Sequence, residues 1–207
     1  LLDALRPNII ESKEAFDVQA VGNALYGMQG MKSEYVEVLN MLSALTIKIG
    51  TCKDDLDNQA VGNALYGMQG MKSDFIEVRN IIAKLSVKVY NCKDNFDAQK
   101  SSGIAMTAQE VSNSLYGMQQ MSSKDPNVIS LLMALSLRIE SSKEKWSAQG
   151  LSKALFGLQR MSSDKAEVRS VLAILLPKIK SCKEPLTSIE ICDEFYGLQK
   201  MISNHQE

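Results

Sequence analysis

The string QAVGNALYGMQGMKS occupies residues 19–33 and returns unchanged at 59–73. Related forms follow at 110–123 (EVSNSLYGMQQMSS), 150–163 (GLSKALFGLQRMSS) and 190–203 (EICDEFYGLQKMIS). An aromatic-glycine pair marks each copy: Tyr26-Gly27, Tyr66-Gly67, Tyr116-Gly117, Phe156-Gly157 and Tyr196-Gly197, spaced by 40, 50, 40 and 40 residues. A unit this short cannot bury its own apolar face, so repetition at this period implies stacking of like units. The approximate repeats are 1–40, 41–80, 81–130, 131–170 and 171–207, within one domain of 207 residues. The third carries a ten-residue insertion near 99–108.

Each unit reads as two helices. The first, helix A, shows Val38, Leu42, Leu45 and Ile49 on one face. Val78, Ile82, Leu85 and Val89, then Val128, Leu132, Leu135 and Ile139, repeat that stripe. Asp125-Pro126 supplies an N-cap followed by a first-turn proline. The second, helix B, opens at Asp17, Asp57, Thr107, Ser147 or Thr187, and Thr107–Glu110 and Thr187–Glu190 have the capping-box spacing. Apolar residues bracket each cap as a hydrophobic staple, for example Phe16 with Val21 and Trp146 with Leu151. Met106-Thr107 rebuilds the signal after the insertion, which makes the insertion a loop between intact helices. The expected fold is all-α, a right-handed α-solenoid of five helix–turn–helix repeats of about 40 residues each. The mid-helix glycines, each costing about 1 kcal/mol against alanine, point to close approach of a neighbouring backbone.

Little here suggests catalysis. His205 is the single histidine and lies in the tail. No phosphate loop, zinc spacing or nucleophile elbow is present, so the sequence offers no catalytic residue, no metal site and no cofactor. Cys52, Cys92 and Cys182 share one repeat position with Ser12 and Ser142, while Cys192 takes the place of Gly22. Neighbouring equivalents lie too far apart for disulfides and read as small residues in tight places, reduced as in an intracellular compartment. Trp146 and the methionines of helix B read as core. No apolar stretch is long enough to span a bilayer. The chain opens on Leu1 inside an apolar pattern, suggesting the ordered part of something longer, and its last residues, Ser203 to Glu207, turn polar as at an end.

Two features are candidates for binding. Cations near the end of helix A, Lys48, Lys88, Arg138 and Lys178, would form a phosphate ladder, or else complement helix C-terminal dipoles. The face of helix A turned from its apolar stripe varies while the framework repeats. Its candidate partner-binding residues are Arg79, Tyr90, Met133, Glu140, Arg169 and Lys180. Apolar members of that face (Leu39, Ile129, Met133, Leu176) suit a protein partner. The formal net charge of −1 gives no global pull toward nucleic acid.

The helix B pattern Asp17-Val-Gln19-Ala-Val21-Gly22-Asn23-Ala-Leu25-Tyr26-Gly27-Met28, preceded by Leu-Leu-x-Ala-Leu at 1–5 and again at 131–135, resembles the octotricopeptide repeat. That resemblance, over nearly the whole chain, implies an α-solenoid of the chloroplast or mitochondrion that binds single-stranded RNA along helix A, in maturation, stability or translation. The near-neutral charge and the apolar members of the variable face favour a scaffold or adaptor contacting protein subunits of a larger assembly, which the resemblance implies is organellar, such as a ribosome or photosynthetic complex.

Overall fold

A computed structural model describes residues 1–91 and 105–201. Among these it contains ten α-helices and no strand. The long ones are α1 (Leu2–Glu11), α3 (Val36–Thr51), α5 (Ile76–Asn91), α7 (Pro126–Ser141) and α9 (Ala166–Ser181). They alternate with α2 (Val18–Tyr26), α4 (Asn58–Gly67), α6 (Ala108–Gly117), α8 (Ala148–Phe156) and α10 (Ser188–Gly197), which at nine or ten residues are shorter than all of the first set but the ten-residue α1. Each helix packs chiefly on its own kind in the adjacent unit, so α1, α3, α5, α7 and α9 make one row and the five short helices another.

All five short helices start as expected. Asp17 Oδ1 and Asp57 Oδ1 accept from Ala20 N and Ala60 N at 2.7 Å, Thr107 Oγ1 from Glu110 N at 3.1 Å, Ser147 Oγ from Gly150 N at 3.1 Å, and Thr187 Oγ1 from Glu190 N at 3.3 Å. Both capping boxes close, with Thr107 N and Thr187 N donating to the Glu110 and Glu190 carboxylates at 2.8 and 2.7 Å. Leu56, Met106 and Trp146 are buried at the staple position. Met106 and Thr107 thus take up helix α6 after the insertion, although residues 92–104 of that stretch lie outside the described residues. Repeat boundaries at 40/41, 80/81, 130/131 and 170/171 fall inside α3, α5, α7 and α9. The apolar stripe that marks helix A begins within the helix, whereas its true start lies at the preceding turn; Tyr35, Asp125 and Lys165 are N-caps.

One continuous core lies between the rows, built from the predicted stripes of α3, α5 and α7 with Val21, Leu25, Val61, Leu65, Val111, Leu115, Leu151 and Leu155. The aromatic-glycine pair explains the close fit of the short row. A Cβ on Gly67, Gly117, Gly157 or Gly197 would lie 1.9, 1.8, 2.0 or 2.1 Å from the carbonyl oxygen of Leu25, Leu65, Leu115 or Leu155 in the preceding unit. Only hydrogen fits there. With the helices this close, the flanking rings stack in a file, Tyr26–Tyr66–Tyr116–Phe156–Tyr196, with centroids 5.7 to 5.9 Å apart. A serine ladder runs alongside: Ser33 Oγ accepts from Lys72 N, Ser73 Oγ from Ser122 N and Ser123 Oγ from Ser162 N, at 2.9 to 3.0 Å.

Candidate binding surface on the long helices

The cation ladder is structural. Lys48 Nζ donates to Ser12 O and to Glu14 O (3.2 Å), in the segment that ends α1 of the preceding unit. Lys88 Nζ repeats this on Cys52 O and Asp54 O at 2.8 and 2.9 Å, and Lys178 Nζ on Ser142 O at 2.6 Å. Arg138 is 2 % exposed, with Nη2 and Nε on Val89 O (2.8 and 3.2 Å) and Nη1 on Asn58 Oδ1 (3.2 Å). Each cation therefore serves the carbonyls that the preceding long helix leaves unpaired at its C-terminus. Burial pushes the Lys178 ammonium below its ordinary value, and its Nζ sits 5.8 Å from the Trp146 ring centroid. Lys48 and Arg138 are buried and Lys88 and Lys178 half-buried, each engaged with main-chain carbonyls of the preceding unit.

The variable stripe divides. Arg79 folds back on its own unit, Nη1 donating to Asp74 O (2.9 Å) and Ser73 O (3.2 Å), with Nε 3.5 Å from Asp125 Oδ2. Arg169 repeats the move on Ser163 O at 2.7 Å. Both hold the turn that starts a long helix. Glu140 and Lys180 are exposed but stand apart from the remaining pair. Tyr90 and Met133, 62 and 53 % exposed, come together on one groove.

That groove has a volume of about 580 Å³ and crosses three long helices. The C-terminal half of α5 contributes Val87 and Tyr90, α7 contributes Met133 and Leu137, and the first turns of α9 contribute Ala166 and Glu167. Serines complete the rim, and no lysine or arginine lines it. Two of its apolar residues escape the sequence reading. Ile47, Val87 and Leu137 hold one equivalent position and are 61, 58 and 45 % exposed. Their signal was visible as an aliphatic residue directly before three of the four ladder cations: Ile47-Lys48, Val87-Lys88, Leu137-Arg138. The groove and this position, exposed in three units, together present apolar surface to solvent.

The short row presents a different face. Gln159 Nε2 donates to Gln119 Oε1 and Gln199 Nε2 to Gln159 O, both at 3.4 Å. A shallow polar recess there is lined by Gln19, Asn23, Asp57, Gln59 and Asn63. Among the described residues no cluster of three or more His, Cys, Asp or Glu side chains could hold a metal ion, and no helix is long and apolar enough to cross a membrane. Cys52 is buried, its Sγ donating to Asp54 O at 3.5 Å. Cys182 is half-buried and Cys192 is exposed, so the tight-place reading holds for the first alone; Cys92 lies outside the described residues.

Compared with known proteins, the chain matches no family model, no curated protein and no solved structure.

Proposed function

We propose that the chain is a non-catalytic adaptor, a right-handed α-solenoid of five helix–turn–helix units that grips a protein segment across its long helices. One observation carries this reading: the groove between α5, α7 and α9 is walled by Val87, Tyr90, Met133 and Leu137 and holds no cation. An apolar side chain of a partner helix or extended segment would enter it, with Glu167 and the rim serines left for the polar edge of that partner. Unit-by-unit packing within each row supports the solenoid. The octotricopeptide resemblance supports an organellar setting, in a ribosomal or photosynthetic assembly of the chloroplast or mitochondrion. RNA binding of the octotricopeptide type is the competing reading. It loses weight because Lys48, Lys88, Arg138 and Lys178 already donate to main-chain carbonyls or to Asn58.

Selection from a displayed random-peptide library tests the proposal. Enriched peptides are expected to share a large apolar anchor. Met133→Glu and Leu137→Asp, both at exposed positions, should weaken them by about tenfold or more while leaving the helical spectrum unchanged. Selected peptides that bind both variants as tightly as the parent would remove the groove from consideration. Binding of a random single-stranded RNA pool that falls steeply between about 50 and 200 mM salt would favour the RNA reading instead.

A further inference from the structure

The walls of the α5–α7–α9 groove have spent most of their hydrogen-bonding capacity on themselves. Each of its four serines donates to a carbonyl one turn back in its own helix: Ser86 Oγ to Ala83 O (2.9 Å), Ser130 Oγ to Pro126 O (3.0 Å), Ser136 Oγ to Met133 O (2.7 Å) and Ser170 Oγ to Ala166 O (3.0 Å). The stretch of α7 that lines the groove, Ser130 to Leu137, lies inside the helix, so its main-chain groups are paired there. Among the described lining residues the Tyr90 hydroxyl is the one side-chain donor left uncommitted. The Glu167 carboxylate is the one charge, and it has no hydrogen-bond or ion-pair partner among the described residues. Lys165, the N-cap of α9, forms no ion pair with it. Two other cations stay clear: Lys180 is in the last turn of α9, and Lys84 leans toward α3, its Cε 3.9 Å from where a Cβ on Gly50 would stand.

An extended segment lying here would find no partners along α7 for its own amides and carbonyls, and each such group left unpaired on burial weakens binding. An α-helix satisfies its main chain internally and asks of the groove only apolar contact. We propose that the segment this groove takes is an amphipathic α-helix carrying a lysine or arginine opposite Glu167. The inference rests on the adaptor reading above and narrows it to one kind of partner. At the usual spacing of about 8–10 Å between packed helices, the distance from α5 to α9 is about 16–20 Å, which about three turns of helix cover. Apolar residues one turn apart on the underside of that helix meet Val87, Met133 and Leu137. The cation falls at the α9 end, because Glu167 stands in the first turn of α9. A positive side chain facing the single unpaired carboxylate of an apolar groove also sets which way round the helix lies.

Random peptides of about 20 residues, long enough for such a helix, are selected on the parent chain by display and measured again on Met133→Glu, to keep those that need the groove. These are expected to carry apolar residues at helical spacing, with lysine or arginine toward one end, and to gain helical circular dichroism on binding. Proline at a middle position that is not an apolar anchor should weaken them about a hundredfold, the size of its penalty inside a helix, while alanine there should not. Glu167→Gln should weaken them about fivefold and Glu167→Lys further. Both variants should keep the parent's helical spectrum, since Glu167 makes no hydrogen bond for them to break. Selection repeated on Glu167→Lys should exchange the basic residue for aspartate or glutamate. Groove-dependent peptides that tolerate the proline, or that alternate apolar and polar residues, would mean an extended occupant and overturn the helix. Groove-dependent peptides that bind Glu167→Lys as tightly as the parent would overturn the cation. If every selected peptide binds Met133→Glu undiminished, the adaptor reading itself fails, and this inference with it.

Discussion

Replacing Gly117 by alanine tests whether the short row is held at backbone contact. In an ordinary helix the change is stabilising by about 0.5–1 kcal/mol, because alanine restricts the unfolded chain. Here the new Cβ would stand 1.8 Å from Leu65 O, 2.4 Å from Leu65 C and 2.9 Å from Tyr66 N. Ordinary carbon–oxygen contact needs about 3.4 Å, so α6 must back away from α4 by roughly 1.5 Å. The obstruction is main chain and cannot rotate aside, which puts the cost near the upper end of the overpacking range, about 3 kcal/mol. The net loss is then about 2 kcal/mol. Gly27→Ala keeps the entropic gain and meets no such neighbour. The two variants should differ by about 3 kcal/mol, or a urea midpoint gap of about 1–1.5 M at a slope of roughly 2–3 kcal/mol/M. Far-UV circular dichroism along a urea titration measures both midpoints. A midpoint for Gly117→Ala at or above that of the parent would refute the close-packing argument, and with it the reason for the glycine in four units.

Arg138→Met should lower stability by about 2–4 kcal/mol in the same urea assay, since it removes the buried guanidinium that donates to Val89 O and Asn58 Oδ1; a neutral result would mean these contacts contribute nothing. Glu194 is held above its ordinary value by burial, reinforced by the negative charge of Glu190. With the folded value raised, its favourable contribution is complete below the ordinary carboxylate value and lost as pH climbs through the raised one. Glu194→Gln should therefore raise the urea midpoint near pH 7 and lose that advantage near about pH 4; an equal gain at both would deny the charge its role. Ser73→Ala should cost about 1–2 kcal/mol by orphaning Ser122 N, 2.9 Å from the hydroxyl, and an unchanged midpoint would show that the serine ladder is ornamental.

What could be read from the sequence was local. The caps at Asp17, Asp57, Thr107, Ser147 and Thr187 act within one turn of chain, and they were legible residue by residue. The staple survived a ten-residue insertion because Met106 and Thr107 carry it with them. The glycines announced a close approach, though not its target, the carbonyl of a leucine one unit back. What escaped was the destination of long cationic side chains. Arg79 and Arg169 sit on the variable stripe by helical phase, yet each turns to the carbonyls of its own preceding turn. No periodicity encodes that choice. The groove was half legible: Tyr90 and Met133 were on the stripe, while Val87 and Leu137 lay one residue outside it. Each interior long helix is covered on both flanks by its like neighbours and beneath by the short row. Only a narrow strip stays open, so an error of 100° in phase exchanges a surface residue for a packed one.

The balance of charge takes on a different meaning once the cations are placed. With 23 bases against 24 acids, a chain could still concentrate its bases on one face and bind a polyanion there. This chain directs Lys48, Lys88, Arg138 and Lys178 between units, Arg79 and Arg169 into turns, and Arg160 onto Gln120 O and the Asp74 carboxylate, all as donors to its own main chain or side chains. Each ladder cation joins one unit to the carbonyls of the unit before it and so ties the long row together. The open strip is left to residues that need satisfy no neighbour. Those are the positions where Ile47, Val87, Tyr90, Met133 and Leu137 stand exposed, and where a substitution can be accommodated without disturbing the stack.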